Sequence, residues 1–284
     1  MTSLADDLEQ LTGQRPDQIS GLSGGCVGDV YQAVMPDGQT WVIKRGDADS
    51  GLEVEGRMLE FLAEHSDLMV PKVQFNSATL LVMDHLPNDG RLEGTAQHHA
   101  ADLVAGLHSL TSPKGFGFKE TTVIGGLKQA NPWSKNWLDF FRDRRLMFMG
   151  HEAHRVGRLP SQILNRLENL CAQLPKWLNE PTQPSLLHGD MWSGNVLSAR
   201  GRITGFIDPA LYYGDPEIEL AFTTLFHTFG PDFFDRYQEH RPLKPGFFEQ
   251  RRDLYNLYPL LVHVRLFGGS YVQSVDRTLK QFGF

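Results

Sequence analysis

The chain has 284 residues, 40% hydrophobic and 21% charged, an ordinary globular composition with enough length for one large core or two modest ones. Its 27 Lys and Arg stand against 34 Asp and Glu, and a formal charge of −7 argues against nucleic acid or an anionic membrane as the main partner. No apolar run approaches the roughly 20 residues of a membrane-spanning helix.

In chain order, Met1 to Gln10 is acidic and lacks the basic-then-apolar layout of a secretory signal. Val30 to Met35 alternates, Pro36-Asp37-Gly38 turns, and Thr40 to Lys44 alternates again, which predicts a hairpin. A helix is expected over about Leu52 to Glu64, then a short buried strand at Leu80-Leu81-Val82-Met83, ended by the polar break Asp84 to Gly90. Beyond it Ala96, Ala100, Leu103, Leu107 and Leu110 recur at helical spacing, with His98 and His99 expected on the helix surface. Further helices are expected over Asn136 to Met149, Ser161 to Leu178, Pro216 to His227 and about Pro245 to Phe267, and a second hairpin over Val196 to Ile207. The layout predicts an α+β, bilobal, protein-kinase-like fold, with a small β-rich lobe over 1–85 and a larger helical lobe over 86–284.

Chemistry concentrates in Leu187-His188-Gly189-Asp190-Met191-Trp192-Ser193-Gly194-Asn195 and the later Gly205-Phe206-Ile207-Asp208. Phosphoryl transfer needs a carboxylate to orient the attacking hydroxyl and oxygen ligands to hold magnesium against nucleotide phosphates. Protein kinases space an Asp, an Asn five positions on and a later Asp for these jobs. Here Asp190 fits the base, and Asn195 and Asp208 the hard oxygen ligands that magnesium prefers.

Upstream, Ser23, Gly24, Gly25 and Gly28 precede the first hairpin strand, and such glycines let backbone N–H groups approach phosphate. Strand alternation puts Lys44 on the face of Val42, opposite Trp41 and Ile43, where a buried ammonium needs an anion. The following helix offers Glu53 on a polar stripe with Arg57, Glu60 and Glu64, and Glu55 on the apolar stripe with Leu52, Met58, Leu59 and Leu62. Glu55 is therefore the expected partner of Lys44. His151 and His154 stand three apart, whereas the zinc-helix motif wants four, and are not read as a metal site. Two cysteines, Cys26 and Cys171, make neither a zinc set nor a disulfide framework, and a reducing cytoplasm is the expected home. Cys26, within the glycine loop, reads as a small residue packing under that loop.

Taken together, Ser23-Gly24-Gly25-Cys26, the run from Leu187 to Asn195, Phe206-Ile207-Asp208-Pro209-Ala210 and Tyr213-Gly214-Asp215-Pro216-Glu217 resemble the fructosamine-3-kinase (ketosamine-3-kinase) family, within the aminoglycoside phosphotransferase and choline kinase branch of kinase-like folds. The resemblance spans nearly the whole chain. It implies ATP- and Mg2+-dependent phosphorylation of the sugar 3-hydroxyl of ketosamines on lysine amines, free or protein-bound, and so repair of glycated amines. It also implies that Lys44, braced by Glu55, holds phosphates, and that the backbone of Met83, Asp84 and His85 binds adenine. Trp192, two residues after the base, is expected to wall the acceptor pocket, and His263 to reach that pocket from a late helix. Asp208-Pro209-Ala210 replaces the Asp-Phe-Gly of protein kinases, and Asp215 is expected to cap a helix almost at once, which leaves little room for an activation loop. Choline, an aminoglycoside or another sugar is the alternative acceptor, and a silent nucleotide-binding module the alternative of another class.

Overall fold

The structure, a computed structural model, describes residues 3–22 and 29–284. The glycine-loop residues Ser23, Gly24, Gly25, Cys26 and Gly28 lie outside the described residues. Helix α1 (Leu4–Thr12) starts at a reciprocal cap, in which Ser3 and Asp6 side chains each accept the other's amide, and ends at Gly13 with φ 73°. Strands β1 (Gln18–Gly21), β2 (Asp29–Val34) and β3 (Thr40–Arg45) follow; after α2 (Leu52–His65) come β4 (Val73–Asn76) and β5 (Leu80–Asp84). They form one antiparallel sheet in the order β1-β2-β3-β5-β4.

Alternation along β3 divides the sheet. Ala33, Trp41, Ile43 and Val82 pack on Leu8 of α1, whereas Leu81, Met83 and Val42 pack with Leu52 and Leu59 of α2. Lys44 therefore faces α2 as expected, and α1, which has no counterpart among the expected elements, covers the opposite face.

The remainder is mainly helical. It comprises α3 (Thr95–His108), the hairpin β6 (Thr122–Ile124) and β7 (Leu127–Gln129), α4 (Trp137–Phe140), α5 (Phe148–Arg155) and α6 (Ser161–Cys171). Four short strands follow, β8 (Ser185–Leu187), β9 (Val196–Ala199), β10 (Arg202–Phe206) and β11 (Tyr212–Gly214), with β9 paired to β10 and β8 to β11. Helices α7 (Pro216–Leu225), α8 (Pro231–His240), α9 (Arg252–Tyr255), α10 (Leu257–Phe267) and α11 (Ser270–Gln281) complete the chain. No helix among the described residues is long and apolar enough to cross a membrane.

Several boundaries depart from expectation for physical reasons. The helix expected to stop at Met149 continues to Arg155, through a π-helical stretch over Phe141–Met147. That stretch carries the buried Arg145, whose guanidinium lies 4.0 Å from the Tyr212 ring centroid and 4.6 Å from that of Phe140. Helix α6 stops at Cys171 rather than Leu178, and Pro175 sits in the 3-10 turn beyond it. Helix α7 ends at Leu225, two residues early, and His227 there adopts φ 54°. His98 is exposed, but His99 is half-buried, and its Nδ1 accepts the Ile203 amide at 3.1 Å, docking α3 on β10.

Candidate active site

Lys44 and Glu55 meet as the periodicities require. The Lys44 Nζ donates to Glu55 Oε1 at 2.7 Å and also to Asp208 Oδ1, with both Lys44 and Glu55 buried. Burial works against the ammonium, but the Glu55 and then the Asp208 carboxylates outweigh it and hold Lys44 above its ordinary pKa. Burial pushes Glu55 upward against the pull of Lys44. Asp208 has φ 54°, a left-handed conformation that Asp tolerates better than most residues.

The segment after β8 brings the other two polar groups to the same place. Asn195 is buried, and its Nδ2 donates to the Asp190 carbonyl at 2.9 Å and to Asp190 Oδ2 at 3.0 Å. Its Oδ1 has no partner among the described residues. Burial, followed by the nearby Asp208 charge, pushes the Asp190 carboxyl up to about 8. Gly189 has φ 87°, and a Cβ there would stand 2.1 Å from the Ala210 carbonyl oxygen, so only glycine lets the segment pass the Asp208-Pro209-Ala210 turn.

A support for this segment has no counterpart among the sequence-based expectations. Glu219 of α7, buried, accepts the Gly189 amide at 2.6 Å and the His188 amide at 3.2 Å. Its second oxygen is also 2.9 Å from His108 Nε2, and His108 Nδ1 is 2.8 Å from the Tyr237 hydroxyl. Burial lowers the His108 pKa, whereas Glu219 stays below its ordinary value despite burial because His108 and the amides stabilise the carboxylate. Two charge-assisted bonds thus fix the backbone just before Asp190. Nothing in local patterning marks Glu219, which lies on a helix whose neighbours Ile218, Leu220 and Ala221 are themselves buried.

A cleft of about 510 Å³ is lined by Lys44, Glu55, Asp190, Asn195 and Asp208 together, with Val30, Val42, Met83, Leu86, Leu197 and Ile207 as an apolar slot. Leu22 and Val30, joined by the Leu22 amide to the Val30 carbonyl at 2.8 Å, also line this cleft. Met83, Asp84 and His85 line it as expected, but two of their amides are committed to the sheet. The Asp84 amide donates to the Lys72 carbonyl and the His85 amide to the Thr40 carbonyl, each at 2.9 Å. The neighbouring Leu86 amide has no acceptor among the described residues.

Trp192 lines the cleft, 36% exposed, and its ring lies over Gly194, where an added Cβ would meet it at 2.4 Å. His263 does not reach the cleft. Its Nδ1 contacts the Pro259 carbonyl at 2.8 Å within its own helix, and its ring packs on Phe226, which in turn meets Trp192 edge-on. The tip of the β6–β7 hairpin does reach it, through Gly125 and Gly126 with φ 53° and 79°. A Gly-Gly pair between Val123-Ile124 and Leu127 is a two-residue hairpin signal, one absent from the expected elements.

Asn195 Oδ1 and Asp208 offer two hard oxygen donors on one side of the cleft, a number that suits magnesium when phosphates and water supply the rest. No group of three His, Cys, Asp or Glu that would suit another metal occurs among the described residues.

The chain matches the fructosamine kinase family profile over residues 1–282. It is 33% identical to a probable ketoamine kinase of Synechocystis, over 98% of this chain and 95% of that one. A probable ketoamine kinase of Vibrio parahaemolyticus is 34% identical, over 92% of this chain and 90% of its own. Among solved structures, a candidate fructosamine-3-kinase from Thermobifida fusca superposes with a TM-score of 0.87 at 27% identity, covering 98% of this chain and 97% of that one. An aminoglycoside phosphotransferase bound to ADP and hygromycin B shares the fold alone, with a TM-score of 0.70 at 18% identity over the full length of both chains. This kinase-like α+β chain is a phosphotransferase, of a kind that takes ATP as substrate, and it belongs to the fructosamine kinase family.

Proposed function

We propose that the chain transfers the γ-phosphoryl group of ATP to the sugar 3-hydroxyl of a ketosamine, a ribulosamine, erythrulosamine or fructosamine carried on a lysine amine, and so serves the repair of glycated amines. One observation carries this reading: Asp190, Asn195, Asp208 and the Lys44–Glu55 pair surround a single cleft with Trp192 on its wall. Lys44, held in place by Glu55 and Asp208, binds phosphate oxygens. The apolar slot between Val42, Met83, Leu197 and Ile207 takes the adenine ring, with the Leu86 amide as donor to its edge.

Asn195 Oδ1 and Asp208 would hold magnesium, which when bound supplies charge to the phosphate oxygens and favours the ionised form of nearby carboxylates. Asp190 orients the acceptor hydroxyl and takes its proton as the new O–P bond forms and the bond from the γ-phosphorus to the bridging oxygen breaks. The exposed face of Trp192 suits the apolar side of a sugar or the carbon stem of lysine. In this reading residues 1–85 hold the nucleotide and 86–284 the acceptor, and the supply of ATP goes with action in the cytoplasm.

The test is an acceptor screen with Mg-ATP covering ribulosamine, erythrulosamine, fructosamine, choline and kanamycin. Turnover on a ketosamine, lost in Asp190→Ala, is the expected result. Turnover of choline or kanamycin with none on ketosamines rejects the acceptor. Nucleotide binding without turnover on any of them rejects catalysis.

A further inference from the structure

We propose a second binding site, for a small phosphate-bearing polar molecule, in a cavity separate from the active cleft. The cavity holds about 310 Å³ between the Asn179–Gln183 connector, the start of α7 and the chain after α8, and shares no lining residue with the cleft. Its charges do not balance internally. Glu217 is taken by Arg251 through paired bonds of 2.5 and 2.8 Å, and Asp215 by the Tyr255 hydroxyl at 2.7 Å and the Glu217 amide at 3.0 Å. Two cations remain. Arg241 is half-buried, yet among the described residues its guanidinium meets only hydroxyls, those of Ser109 at 3.4 Å and Ser185 at 3.3 Å, and that of Tyr237. Lys244 reaches the same cavity, and among the described residues neither pairs with a carboxylate.

A half-buried guanidinium without an anion forgoes its strongest interactions, which planar oxyanions satisfy. Two cationic residues lining one cavity favour a phosphate over a single carboxylate. The volume exceeds what a free anion fills, and Asn179, Thr182 and Gln183 can hydrogen-bond the hydroxyls of a polyol body. The position also matters, because Tyr237, which touches Arg241, is the outer end of the Tyr237–His108–Glu219 relay under the Asp190 segment.

The experiment is calorimetric titration of the full chain with glucose 6-phosphate, inorganic phosphate and glucose, with the active cleft occupied by Mg2+ and a non-hydrolysable ATP analogue. Expected is one saturable site for glucose 6-phosphate, weaker for inorganic phosphate and absent for glucose. Arg241→Gln and Lys244→Gln should each weaken binding by roughly tenfold or more, the loss of a hydrogen bond to a charged group. Lys244 is exposed, so its variant keeps the test decisive if Arg241→Gln does not fold. Absence of saturable binding, or affinity unchanged by Lys244→Gln, overturns the site. Equal affinity for inorganic phosphate overturns the assignment of a carrier molecule.

Discussion

Replacing Glu219 by Gln alters neither size nor shape, but changes what the Asp190 segment rests on. The carboxylate receives the Gly189 and His188 amides and contacts His108 Nε2. Glutamine keeps one acceptor oxygen and turns an NH2 group toward a donor. The variant loses one charge-assisted bond, about 1.5–3 kcal/mol, and strands a buried N–H, a further ~1–3 kcal/mol. Part of this is recovered by relaxation, so a net loss of roughly 2–5 kcal/mol is expected, which lowers the Tm of a chain this long by roughly 3–8 °C. Because the stranded amide lies next to Asp190, a second effect should appear at temperatures where the variant is fully folded. A displacement of the base of about 1 Å costs on the order of 100-fold in kcat, with the KM for ATP little changed, since Lys44 and the apolar slot are untouched. Steady-state phosphotransfer with a thermal melt on the same sample separates the two effects. A variant that melts lower yet turns over at the wild-type rate would show that Glu219 stabilises the fold without positioning the base.

Asp190→Asn should stay folded and bind nucleotide within a few-fold of wild type while kcat falls by about 100- to 10,000-fold; retained turnover would remove Asp190 from the reaction. Gly189→Ala combines a left-handed φ, about 1–2 kcal/mol, with a clash on the Ala210 carbonyl of about 1–3 kcal/mol, read as a lowered urea midpoint. A midpoint equal to wild type would mean that the two backbones separate at little cost. His108 has a folded pKa below the ordinary 6.5, so it contributes stability above that pH which is lost as pH falls from 6.5 through its lowered value. The Tm of the wild type should therefore fall more steeply below pH 6.5 than that of His108→Gln. Parallel pH profiles for the two would assign the acid limb to other groups.

Residue spacing alone makes much of the candidate cleft legible. Asp190, Asn195 and Asp208 announce themselves by their intervals, and Glu55 was separable from Glu53 because a helix and a strand each assign faces. The reciprocal cap at Ser3 and Asp6 and the Gly-Gly hairpin at Gly125 carry local signals of their own, but elements this short carry little periodic signal. Glu219 and His108 belong to another category. Each is a polar residue on a buried helix face, and only the meeting of α3, α7 and the segment after β8 gives them work. The π-helical turn around Arg145 likewise depends on an aromatic cage drawn from distant segments. His263 illustrates the converse error, since its sequence neighbourhood could not reveal Phe226 standing between it and Trp192.

Only Pro209 to Gly214 separate Asp208 from the helix cap at Asp215, and the second half of that stretch, Tyr212–Gly214, is a strand paired to β8. Swinging it out would break that pairing. At that position the chain offers a paired strand where a phosphorylation switch would need a segment free to order or melt.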